Sequence, residues 1–361
     1  METLIAESWF KVENAIGQRP QLTGDVYAMR AQYKALDDQA NATRVISPNV
    51  TVEDRKITPQ LTVRIYTPTV GHADTHPLPV GLYFHGGGLC CGDLDSEDTF
   101  CRQVAERLPS VIVSVGYRLA PEYKAPAQLD DAVEAWNCRL APEYKAPAQL
   151  DDAVEAWNWA YMNAPALNGD RGRYFVVGQS AGGTLVLTLM RRLISLGRRD
   201  EVTGVAAIVP FALHPDAVPS RYVDRYRAFE ECADGPVNTK QAMSRLYGEF
   251  DTEFAVSLCC ISLTVAVIEA IGAQPTDPDV YILNAESELH QFPPTYLAVC
   301  EIDPIRDDGL ILHDRLKASG VPVQLEYYRG LPHVFWAFGC PAPRGDFVGD
   351  VVKGIKTFTH S

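Results

Sequence analysis

Positive charge is what this chain of 361 residues is short of: 32 Lys and Arg stand against 46 Asp and Glu, a formal net charge of −14. Such a surface repels nucleic-acid phosphates and anionic lipid headgroups, which argues against both as partners and for a small neutral molecule. A basic start followed by an apolar stretch is missing too. Met1 to Gly17 carries Glu2, Glu7 and Glu13, so no signal peptide is read there and a cytoplasmic location is expected. Nine cysteines follow no regular spacing, which fits reduced thiols better than a disulfide framework. Two sequons, Asn41-Ala42-Thr43 and Asn49-Val50-Thr51, would matter only in a secreted chain. Metal-ligand spacing is lacking as well. His72 and His76 are four apart but lie in a Gly- and Pro-bearing loop, so neither a metal nor a cofactor is expected.

What is present is a large apolar fraction, 47%, enough for one extensive core. Residues 1–42 place Leu4, Trp9, Phe10, Val12 and Ile16 among charges at roughly helical spacing, and read as cap helices whose Trp9 and Phe10 bound an acyl pocket. Residues 43–361 then form the catalytic domain. Thr43 to Val52 and Leu61 to Tyr66 read as edge strands. Pro79 to Phe84, Val111 to Gly116, Tyr174 to Val177, Val205 to Val209, Thr295 to Glu301 and Val323 to Tyr328 are short apolar runs separated mostly by helical stretches. That alternation predicts an α/β fold with a mainly parallel central sheet covered by helices on both faces.

Two segments break the pattern. Residues 118–137 recur without a change as 139–158, and an isolated undiverged pair is not a solenoid, whose copies diverge and need several repeats. Either 118–138 or 139–158 is therefore a tandem duplicate, recent or introduced by an error in the assigned coding sequence. The second segment, an apolar insertion at 250–274, contains the run Phe254 to Ala273 with Glu269 as its single charge from Phe254 on. It lacks a basic flank and an aromatic belt, so stable membrane insertion is not expected. A cap helix packed over the sheet and a translated intron are the readings that compete there.

The chemistry lies in four loops. Strand residues Gly81 to Phe84 run into His85-Gly86-Gly87-Gly88, where glycines let backbone N–H groups turn toward a ligand. Acyl transfer needs such donors for the developing oxyanion, and one donor is worth about 2.7–4 kcal/mol. Further on, Tyr174 to Val177 leads through Gly178-Gln179-Ser180-Ala181-Gly182-Gly183 into the helical pattern Leu185, Leu189, Leu193. Strand, tight turn and helix are the setting of a nucleophile elbow, which makes Ser180 the nucleophile and adds the Ala181 N–H to an oxyanion hole of Gly86, Gly87 and Gly88. A serine needs a base held in the right tautomer by an acid. Asp303 closes the strand Thr295 to Glu301, and His333 sits in Gly330-Leu331-Pro332-His333 after the last strand, in the chain order such sites use. Asp307 and Asp308 compete for the acid, but read as a solvated helix face behind Pro304. His85 is expected to organise its loop rather than to take a proton.

These motifs resemble the hormone-sensitive-lipase-like branch of the α/β-hydrolases, including Tyr117-Arg118-Leu119-Ala120-Pro121-Glu122 and Asp303-Pro304-Ile305-Arg306-Asp307, from about Val52 onward. Gln179 stands where that family usually has Asp. The resemblance implies a serine carboxylesterase with Ser180, His333 and Asp303 as its triad. Pro-Thr-Asp-Pro-Asp at 275–279 and the stretch Leu331 to Phe338 are similar to fungal members, some of which remove acetate from polyketide intermediates. A binding protein on the same fold and a defective member are the alternatives to an esterase for small esters.

Overall fold

The structure, a computed structural model, describes residues 5–42, 46–69, 76–120, 122–123, 148–247 and 273–359. Its strands are β1 Val50–Lys56, β2 Thr62–Pro68, β3 Leu78–Phe84, β4 Val111–Gly116, β5 Gly169–Gln179, β6 Gly204–Ile208, β7 Thr295–Ile302 and β8 Val323–Pro332. They form one sheet in the order β1-β2-β4-β3-β5-β6-β7-β8. Its first two pairings are antiparallel and the rest parallel. The described helices are α1 Glu7–Ile16, α2 Val26–Ala42, α3 Asp98–Arg107, α4 Ala148–Met162, α5 Ala181–Ser195, α6 Ala228–Glu231, α7 Lys240–Tyr247, α8 Arg306–Ala318 and α9 Phe347–Thr359, with short 3-10 turns between them.

The sheet is buried on both faces, as a parallel sheet must be. Neighbouring residues divide between the two apolar layers: Leu82 and Val176 join the layer containing α4 and α5, while Tyr83 and Val177 join the one containing α3 and α9. This is the two-residue period of a strand. The inner strands were legible as short, largely apolar runs for the same reason. The first edge strand departs from its expected place. It begins at Val50, with 46–49 outside it and 43–45 outside the described residues, and Glu53, Asp54 and Arg55 lie along it with only Val50 buried, so no apolar run marks it.

One connection crosses from β4 to β5, and it draws on both repeat copies. Arg118 to Ala120, Glu122 and Tyr123 come from the first, and α4 from the second. The Arg118 backbone N–H and guanidinium both bond Asp152, at 2.8 and 3.0 Å, and Gln149 Nε2 donates to the Tyr123 carbonyl at 2.9 Å. The remainder, 124–147, and most of the apolar run, within 248–272, lie outside the described residues. Among the described residues no helix is long and apolar enough to cross a membrane.

Trp9 of α1 has no exposed surface. It does not line an open acyl pocket as expected, but packs edge-on against Phe338, centroids 5.4 Å apart, five residues beyond His333.

Candidate active site

The loops of interest leave the carboxyl ends of β3, β5, β7 and β8, where open α/β sheets gather functional groups. Ser180 follows β5 directly and precedes α5. Its backbone is forced to φ 52°, ψ −119°, a conformation L-residues avoid. The elbow closes only because residue 182 is glycine: a Cβ there would collide with the Phe84 carbonyl of the neighbouring strand.

His333 and Asp303 are both almost fully buried, at 3% and 1% exposure, so their contact is shielded from water. His333 Nε2 lies 2.9 Å from Ser180 Oγ, and His333 Nδ1 lies 2.6 Å from Asp303 Oδ2. A carboxylate can only accept, so Nδ1 carries the proton and Nε2 is the free base facing the hydroxyl. Asp303 is steadied in turn by the Ile305 N–H at 3.2 Å.

Of the expected oxyanion donors, the Gly86 N–H points at a Glu97 carboxylate oxygen, 3.4 Å away. The N–H groups of Gly87, Gly88 and Ala181 donate to no described backbone carbonyl. Gly87 takes φ 107°, and a Cβ there would strike the Cys91 backbone, so the loop tolerates only glycine at that point. His85 stacks on Tyr117 at 4.1 Å with its Nδ1 on the Gly86 carbonyl at 2.8 Å. Burial pushes its imidazole down to about 4, which keeps the ring neutral and out of proton transfer.

Strain collects around this site. Leu89, Ser180, Val209 and Val334 all have positive φ without being glycine, and Val334, at φ 47°, directly follows His333. Each such residue costs of order 1–3 kcal/mol and persists only where neighbours over-determine it.

The chain matches the family described as alpha/beta hydrolase fold over residues 81–138 and 135–337, two stretches that overlap inside the duplicated segment. The chain belongs to the α/β-hydrolase family. It is 31% identical to the versiconal hemiacetal acetate esterase of Dothistroma septosporum, over 97% of this chain and 94% of that one. It is 32% identical to the protein of the same name from Aspergillus parasiticus, over 99% of both. Among solved structures, an esterase from the archaeon Pyrobaculum calidifontis superposes with a TM-score of 0.74 at 24% identity, covering 99% of this chain and 100% of that one, a likeness in fold.

Four side chains of this hydrolase's site escaped the sequence reading. Asp307 and Asp308 are not a solvated face but are buried at 5% and 0% exposure. Asp307 accepts from the Arg227 and Ala228 N–H groups at 2.7 and 2.6 Å, and Asp308 from those of Ala212 and Leu213 at 2.7 and 2.8 Å. They tie the chain beyond β6 to the helix that follows Asp303. Their partners are backbone atoms 79 to 96 residues away, which no local pattern reveals. Glu97 also went unread. Its Oε1 accepts from the Tyr33 hydroxyl of α2 at 3.2 Å, and its Oε2 is shut from solvent. Desolvation pushes this carboxyl up to about 8. Gln179, noted only as a departure from the family, accepts from Trp336.

Proposed function

We propose that this esterase hydrolyses a small carboxylic ester through an acyl-enzyme on Ser180. The observation that carries the reading is the continuous chain Ser180 Oγ, His333 Nε2, His333 Nδ1, Asp303 Oδ2, with links of 2.9 and 2.6 Å. His333 takes the hydroxyl proton as Oγ attacks the ester carbonyl. The resulting imidazolium is stabilised by Asp303, and the oxyanion by the N–H groups of Gly87, Gly88 and Ala181. The imidazolium then protonates the leaving alcohol as the C–O bond breaks, leaving the acyl group on Ser180. Water, deprotonated by His333, attacks that acyl carbon and releases the acid, and the proton returns to Ser180. Gly86 is kept in the oxyanion set only while its N–H is free of Glu97.

The relatives named versiconal hemiacetal acetate esterase support an acetate ester of a fungal polyketide intermediate as the substrate class. A panel of p-nitrophenyl esters of graded acyl length tests this, with acetyl and butyryl expected to give the highest kcat/KM. Preference for long acyl chains or emulsified triglyceride would overturn the small-ester reading. A defective or non-catalytic member of the fold would hydrolyse none of them.

A further inference from the structure

Gln179 ends β5 immediately before Ser180 and is buried at 1% exposure. Its Oε1 accepts from the Trp336 indole N–H at 2.8 Å, and because an indole can only donate, the atom facing it must be the amide oxygen. The amide Nε2 is closed off from solvent with no partner among the described residues. Leaving that half without a partner costs free energy, so the bond to Trp336 is the interaction of the Gln179 amide that offsets its burial. That bond spans 157 residues of sequence and joins the strand carrying Ser180 to the turn carrying His333.

The turn itself needs holding. His333 is followed by Val334 at φ 47°, a β-branched residue in the left-handed region, and then by the 3-10 turn Phe335–Phe338. Trp336 lies in that turn, its ring stacked on Phe347 of α9 with centroids 3.8 Å apart and planes within 4°. Stacking fixes the plane of the indole but not its slide along the partner ring, whereas the bond to Gln179 fixes the N–H end relative to β5.

We propose that Gln179 is a positioning residue: through Trp336 its amide oxygen anchors the strained turn that carries His333, and so keeps the imidazole within reach of Ser180. This rests on the reading of Ser180 and His333 as nucleophile and base. Gln179→Met keeps the length and removes the acceptor. Trp336→Phe keeps an aromatic ring over Phe347 and removes the donor together with part of the indole, so, with thermal melts to register the lost packing, it reads the bond even if Gln179 variants fold poorly.

Steady-state hydrolysis of p-nitrophenyl acetate, with thermal melts alongside, provides the test. Each single variant should lower kcat by about 10²-fold, the scale of a small misplacement of a reacting group, with KM nearly unchanged. The double variant should be no slower than the worse single one, because both remove the same bond. Gln179→Glu, which restores an acceptor of the same reach, should recover most of the loss. Wild-type kcat in Trp336→Phe, or losses that multiply in the double variant, would overturn the proposal. A fall in kcat matched by an equal fall in folded fraction would also overturn it, as a purely structural effect. Ser180→Ala run in parallel separates the two readings. Turnover persisting there removes the nucleophile assignment and this proposal together, whereas its loss beside an unaffected Trp336→Phe removes this proposal alone.

Discussion

Asp303, Asp307 and Asp308 stand within six residues of one another, and their environments divide the work. Asp303 faces His333, while Asp307 and Asp308 hold backbone N–H groups of distant loops. Asp303→Asn should therefore cut kcat by about 10⁴-fold through the wrong imidazole tautomer, with little change in melting temperature. Asp307→Asn should do the reverse, and a larger kinetic loss at 307 than at 303 would move the acid. Glu97 makes a prediction about pH. Its folded carboxyl titrates near about 8 against an unfolded value near about 4.3, so between those values the folded state binds the extra proton. Stability is then present below the unfolded value and falls as pH rises through the window. Glu97→Gln, neutral throughout, should flatten the decline in melting temperature between about pH 5 and 8 relative to wild type. An unchanged slope would mean that Glu97 is already ionised in the folded chain.

At the scale of elements, the connection from β4 to β5 is the informative one. Arg118 is bonded to Asp152 although its own copy supplies the identical Asp131 earlier in the chain. One loop and one helix suffice between these two parallel strands, which flank β3 in the sheet, and the described residues build them from the head of one copy and the tail of the other. Because the copies are identical and offset by 21 residues, deleting 118–138 yields the same chain as deleting 124–144. Either deletion retains every described bond of the connection. It should raise thermal stability and soluble yield, since it removes 21 residues between β4 and β5 and each lengthening of a connection adds to the conformational entropy lost on closing it. Turnover per active site should not fall. A lower melting temperature or lost activity would mean that both copies are integral. The N-terminal helices act at this scale too. Arg30 of α2 bonds the carbonyls of Cys90 and Ala120, and the Ala6 N–H meets the Gly330 carbonyl at 2.8 Å, so they brace the glycine loop and the His333 loop.

Across the whole molecule, legibility followed the range of the interactions. The inner strands and the elbow were readable because burial on two faces and a tight turn impose residue choices on contiguous sequence, as at Val111 to Gly116 and Gly178 to Gly183. Ser180, Asp303 and His333 were singled out by their places at strand ends, and the fold brings their side chains into contact although 153 residues separate Ser180 from His333. Polar β1, the buried Asp307 and Asp308, Glu97 beneath the glycine loop and the bond from Gln179 to Trp336 were not readable. Each depends on a partner brought near only by the assembled sheet. Every role proposed for the site depends on Ser180 being the group that becomes acylated. Its most direct test is fluorophosphonate labelling in the presence of a chelator, followed by peptide mapping by mass spectrometry. The prediction is one adduct on the peptide carrying Ser180, with loss of p-nitrophenyl acetate hydrolysis in step with labelling, and a fall in kcat on the order of 10⁶-fold in Ser180→Ala. An adduct on another residue, or hydrolysis persisting in Ser180→Ala, would contradict it.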